Sequence, residues 1–234
     1  MTPAKGLGPV RCVVVGAGRL TEVGYLPAFS AVPDVTLVGV VDPDAARADA
    51  VAAAAGRTGP RPVTGGDLDA VVADLTRVAT ADDRGVDAVI VASPVPTHVA
   101  VATAAAAGGF PTLVEKPPAP DAAGARALAA LTPTPSIGFN RRFDPGAQAV
   151  RVAAATAEAA AGGTRTTSIA GIEVTLAYRR ASWQAVRVDD DALADLGPHA
   201  IDWVRWVARR DVAEITSAVL AHDRATVEGR LDGG

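Results

Sequence analysis

The chain has one cysteine, one methionine and few aromatic residues, the last making up 4% of its 234 positions. A lone cysteine excludes an intrachain disulfide. Cys12 lies inside the apolar run VRCVVV, where it reads as a small buried hydrophobe rather than a reactive thiol. No apolar run reaches the roughly 20 residues that a membrane helix requires. The opening MTPAKGLGP lacks the apolar core of a signal peptide. A cytoplasmic protein with no membrane partner is therefore expected. No basic stripe appears, and the net charge is -4 with an isoelectric point near 5.4. Recognition of a phosphate backbone needs clustered Lys and Arg, so nucleic acid is not an expected partner. The candidate ligands lack metal-binding spacing, so no metal site is implied. Neither a glycine-flanked nucleophilic serine nor a Cys–His arrangement is present.

What is abundant is alanine, roughly a fifth of the chain, within a hydrophobic content of 49%. Alanine is the best helix former, so many small-residue helices with few bulky anchors are expected. The first half alternates strands and helices. VRCVVV, VTLVGVV, VDAVIV and FPTLVEKP read as buried strands. YLPAFSAV, DAARADAVAAAA, DLDAVVADLTRVA and THVAVATAAAA read as helices, the last capped by Thr97 and stopped by Gly108 and Gly109. Such alternation implies a parallel α/β sheet with right-handed crossovers. After Pro120 the texture changes. AGARALAALT and RRFDPGAQAVRVAAATAEAA read as helices, with the short strand PSIGFN between them. TSIAGIEVTLAYRR alternates like a strand with one exposed face. DALADLGPHAIDWVRWVARR reads as a helix, and ITSAVLAHD and RATVEGRLDGG as closing strands. The expected division is a Rossmann domain over 9–118, then an α+β domain over 119–234 with a mostly antiparallel sheet.

Chemistry first shows at the turn after the first strand. Gly16 and Gly18 match the first two glycines of a dinucleotide fingerprint, with Arg19 and Leu20 next in the same turn. The first glycine permits the tight turn, and the second lets the backbone approach a pyrophosphate at the positive end of the helix. The third glycine falls at Thr21, so helix and strand are expected to pack slightly further apart. Asp42 ends the second strand at about the expected ~20-residue separation. A carboxylate there accepts from ribose hydroxyls and repels a 2′-phosphate, which favours NAD while leaving NADP possible.

The run VASPVPTHVAVATAAAAGGFPTLVEKP resembles the middle of the Rossmann domain of the Gfo/Idh/MocA oxidoreductases, the relatives of glucose–fructose oxidoreductase and inositol dehydrogenase. GFNRRFDP and DLGPHAIDWV match further on in the same order, so the resemblance extends from about Val10 to Gly233. It implies that Lys116, in the Glu-Lys-Pro corner, faces a catalytic cleft and polarises a substrate oxygen. It also implies cofactor contacts from Ser93, Pro94, His98 and Glu115. Asp195 and His199 stand at i and i+4, on one face of a helix. They match the family pattern in which the His moves the hydroxyl proton and the Asp positions substrate. A histidine titrates near neutrality, which suits proton transfer coupled to hydride transfer. Asp202, Trp203 and Trp206 read as capping and packing residues. Arg141 or Arg142 either reaches the cleft or stays on the surface. The implied activity is hydride transfer between nicotinamide and the carbinol carbon of a sugar, inositol or related polyol, in a possible homo-oligomer. The alternative is a catalytically silent dinucleotide-binding sensor or scaffold of the same fold.

Beyond Thr21, the chain departs from the family at two further points. Residues 189–191 are three aspartates where relatives commonly carry a glycine-rich turn. They either complement a helix dipole or favour a cationic substrate. The chain is also shorter than its relatives, so the second domain is expected to lack its last strands and to leave an exposed edge. A fragment, a trimmed fold and completion by a partner chain all remain open. The sequence likewise leaves open the isomer of the Lys116–Pro117 peptide.

Overall fold

A computed structural model describes residues 8–55, 61–63, 85–160, 171–177, 192–221 and 223–232. Its chain divides into two compact units, Met1–Gly138 and Phe139–Gly234.

The first unit is built on β1 (Val10–Val15), β2 (Val35–Val41), β3 (Arg61–Val63), β4 (Ala88–Val91), β5 (Thr112–Val114) and β6 (Ser136–Ile137). They form one sheet in the order β3-β2-β1-β4-β5-β6, with every pairing parallel. This is the doubly wound order, in which ligands bind beyond the strands' C-terminal ends where the order reverses. Here that switch point lies between β1 and β4. Alternation along β1 divides the core in two. Val13 and Val15 join Val89, Val91, Val101 and Leu128 on one face. Cys12 and Val14 join Leu37, Val40, Val51 and Ile90 on the other. The first face is covered by α3 (His98–Ala107) and α4 (Ala122–Ala129). The second is covered by α1 (Leu26–Ala31) and α2 (Ala45–Ala54). Asp44 and Asp121 cap α2 and α4 with side-chain oxygens that accept main-chain N–H groups.

Two expectations change here. The sequence places PSIGFN in the second domain, but β6 pairs with β5 and extends the parallel sheet. The compact unit therefore runs to Gly138 rather than ending at 118. Thr97 does precede α3, yet its hydroxyl gives no cap. It donates to Pro94 O and pairs with Ser93 Oγ, because Val95–Thr97 already form a 3-10 turn leading into the helix. Gly109, at φ +77, ends the helix as expected.

The second unit holds a 3-10 turn (Asn140–Phe143), α5 (Pro145–Ala160), α6 (Ala192–Ala208) and an antiparallel hairpin of β7 (Val212–Ala221) and β8 (Arg224–Leu231). The hairpin carries large apolar side chains in the open, among them Val219 at 67% and Leu220 at 59% exposure. Residues 171–177, expected as part of a strand, alternate between exposed and half-buried but join no ladder among the described residues. The helix expected in DLDAVVADLTRVA, the three aspartates at 189–191 and His222 lie outside the described residues. No helix among the described residues is long and apolar enough to cross a membrane.

Candidate functional site

In the first unit the site begins where β1 ends. Gly16 adopts φ +107, and a Cβ added there would lie 2.6 Å from the carbonyl of Ala92, at the end of β4. Two strand ends therefore meet at the switch point with no room for a side chain, which is why the turn requires glycine. Gly18 is the converse. A Cβ there would meet nothing within 4 Å, so the backbone faces open space. That combination of a pinned first glycine and an open second one fits the approach of a pyrophosphate.

Asp42, only 7% exposed, secures this turn. Its Oδ2 accepts the Ala17 N–H at 2.7 Å and its Oδ1 accepts the Asp44 N–H at 2.8 Å. An ionised carboxylate has about four acceptor positions, so these two bonds leave capacity for a ribose hydroxyl. Thr21, the missing third glycine, is fully buried, and its hydroxyl donates to Gly16 O at 2.6 Å. Instead of merely spacing helix from strand, it satisfies a carbonyl of the turn. It also opens a π turn, Thr21–Tyr25, in which Leu26 N–H returns to Thr21 O. Arg19 and Glu22 lie 3.8 Å apart on the exposed side.

At the far side of the switch point the Ser93 hydroxyl pairs with Thr97. His98 opens α3, and at 1% exposure its ring is wholly buried. One ring nitrogen faces Pro117 O at 3.1 Å and the other faces Ser93 O at 2.8 Å. His98 thus staples the end of β4 to the Lys116 corner through main chain, while Pro94 is exposed. The Lys116–Pro117 peptide is cis. Glu115 accepts the Lys116 N–H through Oε2 and the Tyr25 hydroxyl through Oε1 at 2.6 Å. Tyr25 is a site residue that sequence reasoning misses, because nothing in the fingerprint spacing marks it.

In the second unit Asp195 and His199 both lie on α6, as their spacing implied, with His199 at 7% exposure. Pro198, directly before His199, lies inside this helix. Asp202 does more than pack. At 4% exposure it receives a two-pronged bond from Arg142, Nε to Oδ2 at 2.8 Å and Nη2 to Oδ1. The carboxylate raises the Arg142 pKa further above its already high value. The guanidinium also lies 5.7 Å from the ring centroid of Phe139, whose ring meets that of His199 edge-on at 6.5 Å between centroids. Arg142, Phe139 and Asp202 therefore fix the 3-10 turn to the helix that carries His199. Within its unit, Arg142 is thus committed to an ion pair.

Comparison with known proteins gives a consistent result. Residues 10–135 match the profile of an oxidoreductase family with an NAD-binding Rossmann fold, GFO_IDH_MocA. Inositol 2-dehydrogenase 1 of Saccharopolyspora erythraea is 39% identical over 141 residues, 58% of this chain and 38% of that protein. Inositol 2-dehydrogenase 4 of the same organism is 31% identical over 222 residues, 93% of this chain and 58% of that protein. The crystal structure of a myo-inositol dehydrogenase from Corynebacterium glutamicum superposes with a TM-score of 0.62 at 25% identity, covering 94% of this chain and 65% of that one. The chain spans about half the length of the curated relatives it matches.

Proposed function

Because the chain belongs to the Gfo/Idh/MocA oxidoreductase family, we propose that it binds NAD and transfers hydride to and from the carbinol carbon of an inositol or related polyol. The observation that carries this reading is the turn at the switch point. Gly16 is pinned against Ala92, Gly18 is open, and Asp42 braces the loop from below. The inositol dehydrogenases among its relatives supply the substrate class.

Each residue has its own task. Gly16 and Gly18 let the backbone come close to the pyrophosphate. Asp42 accepts from the adenosine ribose and repels a 2′-phosphate, which selects NAD over NADP. Bound nicotinamide supplies the hydride chemistry. Lys116, held in its corner by Glu115 and by His98 beneath, donates to the reacting oxygen and stabilises charge that develops there. His199 takes the hydroxyl proton as the carbonyl forms and returns it in the reverse direction. Asp195, one helical turn before His199, positions substrate.

The test is direct. The purified chain is mixed with NAD or NADP and a panel of inositols and sugars, and reduced nicotinamide is followed by absorbance. NAD-dependent turnover that falls about 100-fold or more in Lys116→Ala and in His199→Ala is the expected result. Tight NAD binding with no turnover on any polyol would instead identify a dinucleotide-binding sensor.

A further inference from the structure

Tyr25 has no part in the chemistry just assigned, yet it makes a bond that spans the first unit. Its phenol donates to Glu115 Oε1 at 2.6 Å, across 90 positions of sequence. That length lies within the range of a hydroxyl bonded to an ionised carboxylate. The other oxygen of Glu115 accepts the Lys116 N–H at 3.1 Å. Gly138 packs on the same carboxylate so closely that a Cβ there would lie 3.1 Å from Oε2. Two distant segments, the π turn and the end of β6, therefore converge on Glu115 at the end of β5.

The π turn is the second observation. Such insertions are rare, occur mostly as single-turn bulges inside α-helices, and are frequent at functional sites. One extra residue rotates the succeeding side chains by about 100° round the axis relative to an α-helix. Here the insertion begins at Thr21, whose hydroxyl holds Gly16 O, and ends at Tyr25. The same short segment thus grips the glycine turn at one end and the lysine corner at the other. Burial first, then the Glu115 carboxylate, raise the phenol pKa far above its ordinary value. The hydroxyl consequently remains a donor throughout the neutral range.

We propose that Tyr25 is a positioning residue for Lys116, acting through Glu115 to hold the ammonium's corner at a fixed distance from the glycine turn. The consequence for catalysis rests on the dehydrogenase reading above; the positioning itself does not. A misplacement of about 1 Å can cost on the order of 100-fold in rate, so a tether between cofactor loop and ammonium has something to protect.

The chain offers an unusually clean probe, because Lys5 and Lys116 are its only lysines. Reductive methylation with carbon-13 preserves their charge and gives one resolvable signal for each, assigned with Lys116→Arg. In Tyr25→Phe the Lys116 signal is expected to move most of the way to its position in urea, while the NAD dissociation constant stays within about twofold. Glu115→Gln is expected to move it likewise, and the double variant no further than the single ones. In the unmethylated protein, kcat on myo-inositol should fall about tenfold in Tyr25→Phe with KM little changed. A Lys116 signal that stays in place in both folded variants overturns the proposal, as does a double variant in which the shifts add. If the unaltered chain oxidises no polyol, the dehydrogenase reading fails, and the methyl-lysine signal still decides whether Tyr25 positions the corner.

Discussion

Arg142 and Asp202 form an ion pair whose two ends are not equivalent. Asp202 is 4% exposed and Arg142 is 40% exposed. Replacing Arg142 with Met removes both bonds and leaves a carboxylate that water hardly reaches. Breaking a buried pair from one side costs about 3–5 kcal/mol. The exposure of Arg142 screens part of the attraction, so the lower end, about 3 kcal/mol, is the working figure. Loss of the contact with Phe139 adds about 0.5 kcal/mol. Replacing Asp202 with Asn is different. The carboxamide oxygen can still accept one guanidinium N–H, and the stranded cation can turn to water. That change should cost about 1 kcal/mol. Thermal unfolding, followed by tryptophan fluorescence, measures both, because Trp203 and Trp206 lie on the same helix as Asp202. The expected order is Arg142→Met well below Asp202→Asn, with midpoint temperatures separated by about 5 °C or more. Equal losses, or a larger loss in Asp202→Asn, would refute the argument that burial of the carboxylate decides the outcome.

Other consequences can be checked with simpler measurements. Gly16→Ala should destabilise the first unit and abolish NAD binding, because its Cβ would lie 2.6 Å from Ala92 and its φ of +107 disfavours a side chain. Gly18→Ala should fold with nearly unchanged stability yet bind NAD at least about tenfold more weakly, since its methyl enters only the space reserved for ligand; calorimetry separates the two. Burial, then the nearby Asp87, push the Cys12 thiol to about 11. At pH ~8 only about one thiol in a thousand is ionised, so native protein should resist iodoacetamide and react once unfolded. Tyr25 is raised by folding, so its contribution to stability is fully present below the unfolded tyrosine value of ~10 and drains away as pH rises further. Tyrosinate absorbance should show one of the two tyrosines ionising late, and Tyr25→Phe should remove that late step while flattening the alkaline loss of stability.

The parts of this structure that were legible in the sequence are those specified locally. Valine-rich runs gave β1, β2 and β4 because a buried parallel strand needs little more than apolar sequence between turn residues. The spacing of Asp195 and His199 placed both on α6 without any tertiary information. Gly16 was legible because the tight turn demands its backbone freedom. What escaped were the pairings set by partners distant in sequence. PSIGFN reads as a short strand wherever it lies, and only its ladder with β5 shows that it belongs to the first sheet. Asp202 looks like a packing residue because its partner, Arg142, stands 60 positions away.

Thr21 shows how such a miss can mislead. By spacing alone it is a failed glycine and weakens the dinucleotide signature. In the folded chain its hydroxyl occupies the Gly16 carbonyl, and its own carbonyl accepts from Leu26, one residue beyond the α-helical partner. A glycine at this position would leave the Gly16 carbonyl without that hydroxyl. The departure at Thr21 and the reach of Tyr25 to Glu115 therefore belong to a single local solution: the segment that lacks the third glycine carries a brace between the glycine turn and the lysine corner. Thr21→Gly tests this linkage. If the two features are coupled, restoring the fingerprint glycine should loosen the Lys116 corner as Tyr25→Phe does, although it brings the sequence closer to the family pattern. A methyl-lysine signal unchanged in Thr21→Gly would show that the two features are independent.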